Sequence, residues 1–528
     1  MKLSDILSGD FNPAEWEAKG YVLPTFDIAA VREKTFQEPT WVHFGGGNIF
    51  RAFPAAILNE ALNAGKYDRG VIMAETFDYE VVDKVYLPYG NLSLSVSLRS
   101  DGRSDKTVIA SVTEALKADF AFPDWQRLVE VFRNPTLQMI SFTITEKGYT
   151  VMPADFGRGQ KPVLAMGKVA ALLLERFHAG AFPLPVQSMD NCSHNGDKVK
   201  ESILAYADRW VADGLAPADF PEWLRDGTKV TFPWSMIDKI TPRPHEKVKA
   251  LLAADGFEDI ETIETAKHTF TAPFVNSEEV QYLVIEDRYT NGRPPLELGG
   301  ALFTTRETVD KVETMKVTTC LNPLHTAMSL YGCLLGYTLI SAEMADPEIR
   351  SFIQKIGYIE AMPVVTDPGV LNPYEFIGTV INRRLPNPFM PDAPQRIAMD
   401  TSQKIPIRFG ETLKKYVLRR LDMDNLVLIP LVLAGYARYL KGIRDDGTPF
   451  EPSPDPLLEE LMAIVAPLEV GKPDQDYSCL KQLYSRKDVF GLDLYEAGLG
   501  ERIEGMVREL YACPGAVRTT LHKYVTAR

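Results

Sequence analysis

The stretch Trp41-Val42-His43-Phe44-Gly45-Gly46-Gly47 decides the fold. Four residues of strand character run into three glycines, and over 49–62 the apolar residues then fall at helical spacing. A second apolar strand, Val71-Ile72-Met73-Ala74, follows and ends at Glu75. Together these make a β-α-β unit. In such a unit, glycine after the first strand lets the backbone approach a pyrophosphate, whose charge sits at a helix N-terminus. Gly45 and Gly47 supply the first two glycines of G-x-G-x-x-G, and Phe50 stands where the third would be. Glu75, ending the second strand, can accept hydrogen bonds from adenosine ribose hydroxyls and repel a 2′-phosphate, which favours NAD over NADP. A solvated glutamate at a strand end is the plainer alternative.

Working outward, further strands are expected over 92–98, 107–112 and 139–145, with a helical pattern over 124–132. Alternation of strands and helices predicts an α/β, Rossmann-like domain with a largely parallel sheet. Beyond about Thr308 the patterns are longer and helical, over 325–339, 425–440 and 456–465, which predicts a mainly α-helical C-terminal domain. The Pro- and Gly-bearing stretch TNGRPPLELGG marks the boundary, giving domains 1–290 and 291–528.

Composition narrows the function. The 528 residues are 45% hydrophobic and 24% charged, as expected of a folded protein with large cores. The net charge is -14 and there is no basic stripe, which disfavours nucleic acid as a partner. No run of about 18 uncharged apolar residues appears and the N-terminus lacks a signal-peptide pattern, so a cytoplasmic protein without a membrane partner is expected. Five cysteines without a CxxC pair fit reduced thiols. His245-Glu246 lacks the second histidine of a zinc-protease helix, and no metal site is expected.

Six segments, in order along the chain, resemble the long-chain polyol dehydrogenase (mannitol dehydrogenase) family. HFGGGNIFRAF is similar to the family's cofactor turn G-x-G-x-F-H-R-A-H, and Thr145-Glu146-Lys147-Gly148-Tyr149 is a second match. Ser188-Met189-Asp190-Asn191 resembles the stretch that holds an active-site asparagine. Ile237-Asp238-Lys239-Ile240-Thr241-Pro242, preceded by Phe232 and Ser235, looks like the signature V-D-R-I-x-P. MKVTTCLNPLH, with Lys316, Asn322 and His325, resembles the family's catalytic lysine followed by N-x-x-H. Arg396, Asp400, Ser402 and Lys404 match the substrate-side R-I-x-x-D-x-S-x-K.

The resemblance implies an NAD-dependent oxidoreductase in which Gly45, Gly47, Asn48, Ile49, Phe50, Glu75, Thr145, Glu146 and Asp238 contact the cofactor. It implies catalysis by Lys316, Asn191, Asn322 and His325, and substrate binding by Arg396 and Lys404. Five residues separate Lys316 from Asn322, one more than in the family pattern, and a bulge or a helix start at Pro323 can absorb the extra one. Asn322 also has the simpler reading of a helix cap before Pro323.

The chemistry agrees with these assignments. Hydride transfer to a ketone builds negative charge on oxygen, so a site needs a proton donor and hydrogen-bond donors aimed there. A lysine whose pKa is depressed by burial can be the acid, and asparagine amides can stabilise the oxyanion without a metal. Arg396 and Lys404 are cations suited to a carboxylate or to polyol hydroxyls, with Arg408 a further candidate. The expected substrate is a small sugar acid or polyol: fructuronate and mannonate first, with mannitol 2-dehydrogenase or tagaturonate reductase chemistry as alternatives. Sugar-phosphate oxidation and a catalytically silent NAD-binding regulatory protein are the competing readings. Oligomeric state is not legible.

Overall fold

The computed structural model describes residues 1–527. The chain divides into two compact units, Met1–Asp310 and Lys311–Arg528. The residues just after 290 stay with the first unit, because Leu302–Thr304 pairs in parallel with its strand Tyr282–Glu286.

The first unit is built on a six-stranded sheet. Its strands are β1 (Trp41–Phe44), β2 (Val71–Glu75), β3 (Val112–Lys117), β4 (Met139–Phe142), β5 (Leu184–Ser188) and β6 (Val230–Thr231). They lie in the order β3-β2-β1-β4-β5-β6, all parallel, which is the doubly wound order of dinucleotide-binding folds. Every residue of β1, β2, β4 and β5 is buried, as expected where both faces of a sheet are covered. Alternation divides them between two cores. Val42, Phe44, Ile72, Ala74, Ile140 and Phe142 enter one, and Trp41, Val71, Met73 and Met139 enter the other.

Three expectations change in detail. The helix predicted over 49–62 is two helices, α1 (Asn48–Ala52) and α2 (Pro54–Asn63), because Pro54 cannot continue the hydrogen-bond ladder and Phe53 leaves helical geometry before it. The strand expected over 107–112 is the end of one strand, Ser104–Ile109, and the start of another, β3. Ser93–Leu98 pairs antiparallel with Ser104–Ile109 in a separate four-stranded sheet.

In the second unit every named element is helical. All residues of its helix α5 (Leu428–Leu440) are buried, and the one charged side chain, Arg438, donates to the backbone carbonyl oxygens of Ile443, Arg444 and Leu510. The buried Glu360 carboxylate accepts from the amides of Val427, Leu428 and Ile429 at 2.7–2.9 Å and so satisfies that helix's first donors. Among its described residues are four π-helical turns, Lys316–Cys320, Ile356–Ala361, Val380–Arg384 and Pro406–Gly410. No helix among the described residues is long and apolar enough to cross a membrane.

Candidate active site

In the first unit the glycine turn lies where β1 and β2 end. Gly45 has φ +103°, and a Cβ there would stand 2.4 Å from the Thr143 carbonyl oxygen, so only glycine fits. A Cβ on Gly47 would meet nothing within 4 Å, so the backbone at this point is open to a ligand. Gly45, Gly47, Glu75, Thr76, Phe77, Asp78 and the Thr143–Thr145 loop line a cavity of about 530 Å³. This is the crevice beyond the carboxyl ends of adjacent strands where the chain reverses direction across the sheet, the place where such folds bind dinucleotides.

Glu75 lines that cavity but does so as part of its frame. One carboxylate oxygen accepts from Gly46 N–H at 2.9 Å and the other from Phe77 and Asp78 N–H at 3.0 and 3.3 Å. A carboxylate has about four lone-pair sites, so capacity for a ribose hydroxyl remains. Phe77, 65% exposed at the lip, is a residue that sequence reasoning missed. Its signal was an aromatic two residues past the acidic strand end. Lys168 braces the same loop from below, with its ammonium on the Thr76 carbonyl and the Tyr79 hydroxyl, at 3.1 and 2.6 Å, and paired with Asp119 at 2.8 Å.

A second cavity of about 310 Å³ gathers Ile49, Thr145, Glu146, Asn191 and Asp238, five of the expected site residues. Thr145 lines both cavities. Its φ of +64° is uncommon for a residue with a side chain, and Asp190 holds it by accepting from the Ile144 and Thr145 amides at 3.0 and 2.9 Å. Burial raises the Asp190 carboxyl above its ordinary range against these bonds. Glu146 pairs with Lys198.

Asn48 and Phe50 line neither cavity. The Asn48 side-chain oxygen Oδ1 accepts from the buried Arg51 guanidinium at 2.9 Å. The Phe50 ring is fully buried and stacked on His43, with centroids 4.1 Å apart, so only the backbone of this residue can serve a ligand. His43 in turn is bonded on both ring nitrogens, to Ser141 and Thr143, and burial pushes its imidazole down to about 3.

In the second unit, Lys316 ends α3 (Arg306–Met315) and opens the first π-helical turn; it is 4% exposed. This turn holds one residue more than an α-helical path to Asn322 would. Leu321 then leaves helical geometry at φ −132°, and α4 (Asn322–Leu335) begins, ended by Gly336 in the left-handed region. Asn322 is therefore the first helical residue, which differs from the alternative reading of it as a cap before Pro323. Three residues on, His325 shares that first turn and is half-buried. Burial pushes its imidazole down to about 4; Asp392 opposes this, and Arg408, Arg384 and Arg396 add to it.

The two expected substrate cations are already engaged. Arg396 is paired with Asp392, and the Lys404 ammonium donates to the carbonyl oxygens of Ile397 and Met399. Among the described residues no group of three or more His, Cys, Asp or Glu side chains is arranged to hold a metal ion.

Comparison with known proteins agrees with this architecture. Residues 39–298 match the mannitol dehydrogenase Rossmann domain and 308–511 the mannitol dehydrogenase C-terminal domain. The chain is 51% identical to the D-mannonate oxidoreductase of Thermotoga maritima over 526 residues, covering 97% of each. It is 30% identical to mannitol dehydrogenase DSF1 of Saccharomyces cerevisiae, covering 72% of each chain. Among solved structures, the fold is shared with Pseudomonas fluorescens mannitol 2-dehydrogenase in a ternary complex with NAD and D-mannitol (TM-score 0.70, 23% identity, all of both chains). It is also shared with a substrate-free D-sorbitol dehydrogenase (TM-score 0.79, 24% identity, 98% and 99% of the two chains). The doubly wound sheet, the glycine turn at its crevice and these matches across both units agree: the chain belongs to the mannitol dehydrogenase family of oxidoreductases.

Proposed function

We propose that the protein is an NAD-dependent sugar-acid dehydrogenase that interconverts D-mannonate and the ketone D-fructuronate, with Lys316 as general acid and base and no metal. The observation that carries this reading is the 51% identity, over 97% of both chains, with a D-mannonate oxidoreductase.

The cavity at Gly45 fits a dinucleotide: glycine where a Cβ would collide, open backbone at Gly47, and the Glu75 carboxylate set against a 2′-phosphate. When bound, the nicotinamide supplies the hydride for ketone reduction and takes it back in oxidation. The protein's part is proton management. Lys316 gives a proton to the ketone oxygen as charge builds there, and removes it from the hydroxyl in the reverse direction. The Asn322 amide donates a hydrogen bond to the same oxygen, which lowers the barrier without a change of charge. His325, kept neutral by burial, orients a substrate hydroxyl.

The test is NADH oxidation, with NADPH in parallel, against fructuronate, tagaturonate, fructose and fructose 6-phosphate, with a chelator present. Turnover of fructuronate with NADH supports the reading. Preference for fructose or tagaturonate moves the substrate within the family, and NADH binding without turnover across the panel favours a silent regulatory protein.

A further inference from the structure

Arg408 has no anionic partner among the described residues, and unlike Lys404, whose ammonium is held on two backbone carbonyls, it keeps a donor edge without a partner. It sits in the middle of the π-helical turn Pro406–Gly410. Both of its hydrogen bonds come from one nitrogen: Nη1 donates to the Thr326 hydroxyl at 2.6 Å and to the Asn322 carbonyl oxygen at 3.3 Å. Both acceptors are neutral. They fix the plane of the guanidinium against the first turn of α4, where Asn322 and His325 lie. The opposite edge, Nε and Nη2, bonds to no described residue, and neither atom is fully buried. That edge carries two parallel N–H groups, the pair that matches a carboxylate in bidentate fashion.

The neighbourhood strengthens the case. Burial pushes the Arg408 guanidinium down to about 10, the mark of a cation that has lost water without gaining a counter-charge. Arg408 also adds to the depression of His325, alongside Arg384 and Arg396, with Asp392 opposing. Asp392 is paired with Arg396, and Lys404 is held on backbone carbonyls. Arg384, Arg396 and Arg408 thus all act on the His325 imidazole, and Arg408 holds one pre-oriented donor edge without an ion-pair partner.

We propose that the Nε/Nη2 edge of Arg408 binds the carboxylate of the substrate and makes this enzyme select sugar acids over neutral polyols. This rests on the sugar-acid reading above and extends it to a residue. Nη1 is the hinge that sets the edge, so one side chain couples the position of the carboxylate to that of Asn322. A neutral polyol offers no charge there and leaves the guanidinium desolvated and unpaired, which penalises it.

The experiment compares wild type, R408Q and R408K with NAD(H) present. Binding of D-mannonate and D-mannitol is measured by calorimetry, and kcat/KM for fructuronate and fructose by NADH oxidation. Wild type is expected to prefer the acids. R408Q is expected to lower the acid-to-polyol ratio about a hundredfold, mainly through KM, the scale of charge-assisted bonds to a carboxylate. R408K, which keeps the charge but not the fork, is expected to lose about tenfold and serves if R408Q does not fold. An unchanged ratio in R408Q or R408K, or equal loss for acid and polyol, overturns the assignment while leaving the sugar-acid reading intact. A wild type without preference for the acids overturns both.

Discussion

The backbone N–H of Leu321 bonds to the carbonyl oxygen of Lys316, five residues earlier, at 3.1 Å. This wide turn holds one residue more than an α-helical path needs, and it sets the rotation of Lys316 relative to Asn322 and His325. Deleting Val317 should restore an α-helical register and turn Lys316 by about 100° about the helix axis. Turnover of the ketone substrate is expected to fall at least about a hundredfold, with NADH affinity unchanged, as read by stopped-flow kinetics and fluorescence titration. Full activity in the deletion variant would show that this register does not matter.

Lys316→Ala tests the proton donor itself. Loss of a positioned acid is expected to cost about 10³-fold in kcat, and NADH should bind as before. Partial rescue by added primary amines would identify the missing group as an ammonium, whereas near-normal turnover would remove Lys316 from the chemistry.

Gly45 and Gly47 separate folding from binding. Gly45→Ala places a Cβ against the Thr143 carbonyl at a φ of +103°, so the melting temperature should drop by several degrees and NADH binding should vanish. Gly47→Ala meets no protein atom, so thermal melting should be unchanged while the NADH dissociation constant rises about tenfold. Unchanged NADH affinity in Gly47→Ala would argue that the cofactor lies elsewhere.

Two buried groups set opposite pH limits. His43 is held well below its ordinary value by burial, so the unfolded state takes up its proton first; stability is complete above about pH 6.5 and falls as pH drops toward 3. Glu343 is fully buried, both its carboxylate oxygens lack a hydrogen-bond partner, and burial raises its pKa well above the ordinary range. Its folded form is the neutral acid, so its contribution is present below about pH 4.5 and is lost as pH rises toward its folded pKa. Glu343→Gln should therefore raise the melting temperature more at pH 8.5 than at pH 5, measured by calorimetry. An equal shift at both values would mean that Glu343 does not titrate differently in the two states.

The doubly wound domain was legible in sequence because its strands are continuous apolar runs and its first turn needs glycine at Gly45. The second cavity was legible only through family resemblance, since Asn191 and Asp238 lie far from each other along the chain and neither is distinctive alone. The break at Phe53 is set by Pro54, whose effect the apolar periodicity over 49–62 masks, and the end of Ser104–Ile109 by tertiary pairing that overrides local periodicity. The partners of Arg396, Lys404 and Arg408 could not be read at all: one is paired, one is held on backbone and one is open, and composition is the same for each.

The π-helical turns have a consequence for how such a domain changes over generations. Lys316, Arg384 and Arg408 all lie in these turns. One extra codon inserted into a helix can be absorbed as such a bulge with both ends of the helix left in place. The side chains on either side of it are then re-aimed by about 100°, a larger change than most single replacements achieve. A helical unit can in this way acquire a new inward-facing lysine or arginine by duplication of three nucleotides, with its loops and core left as they were.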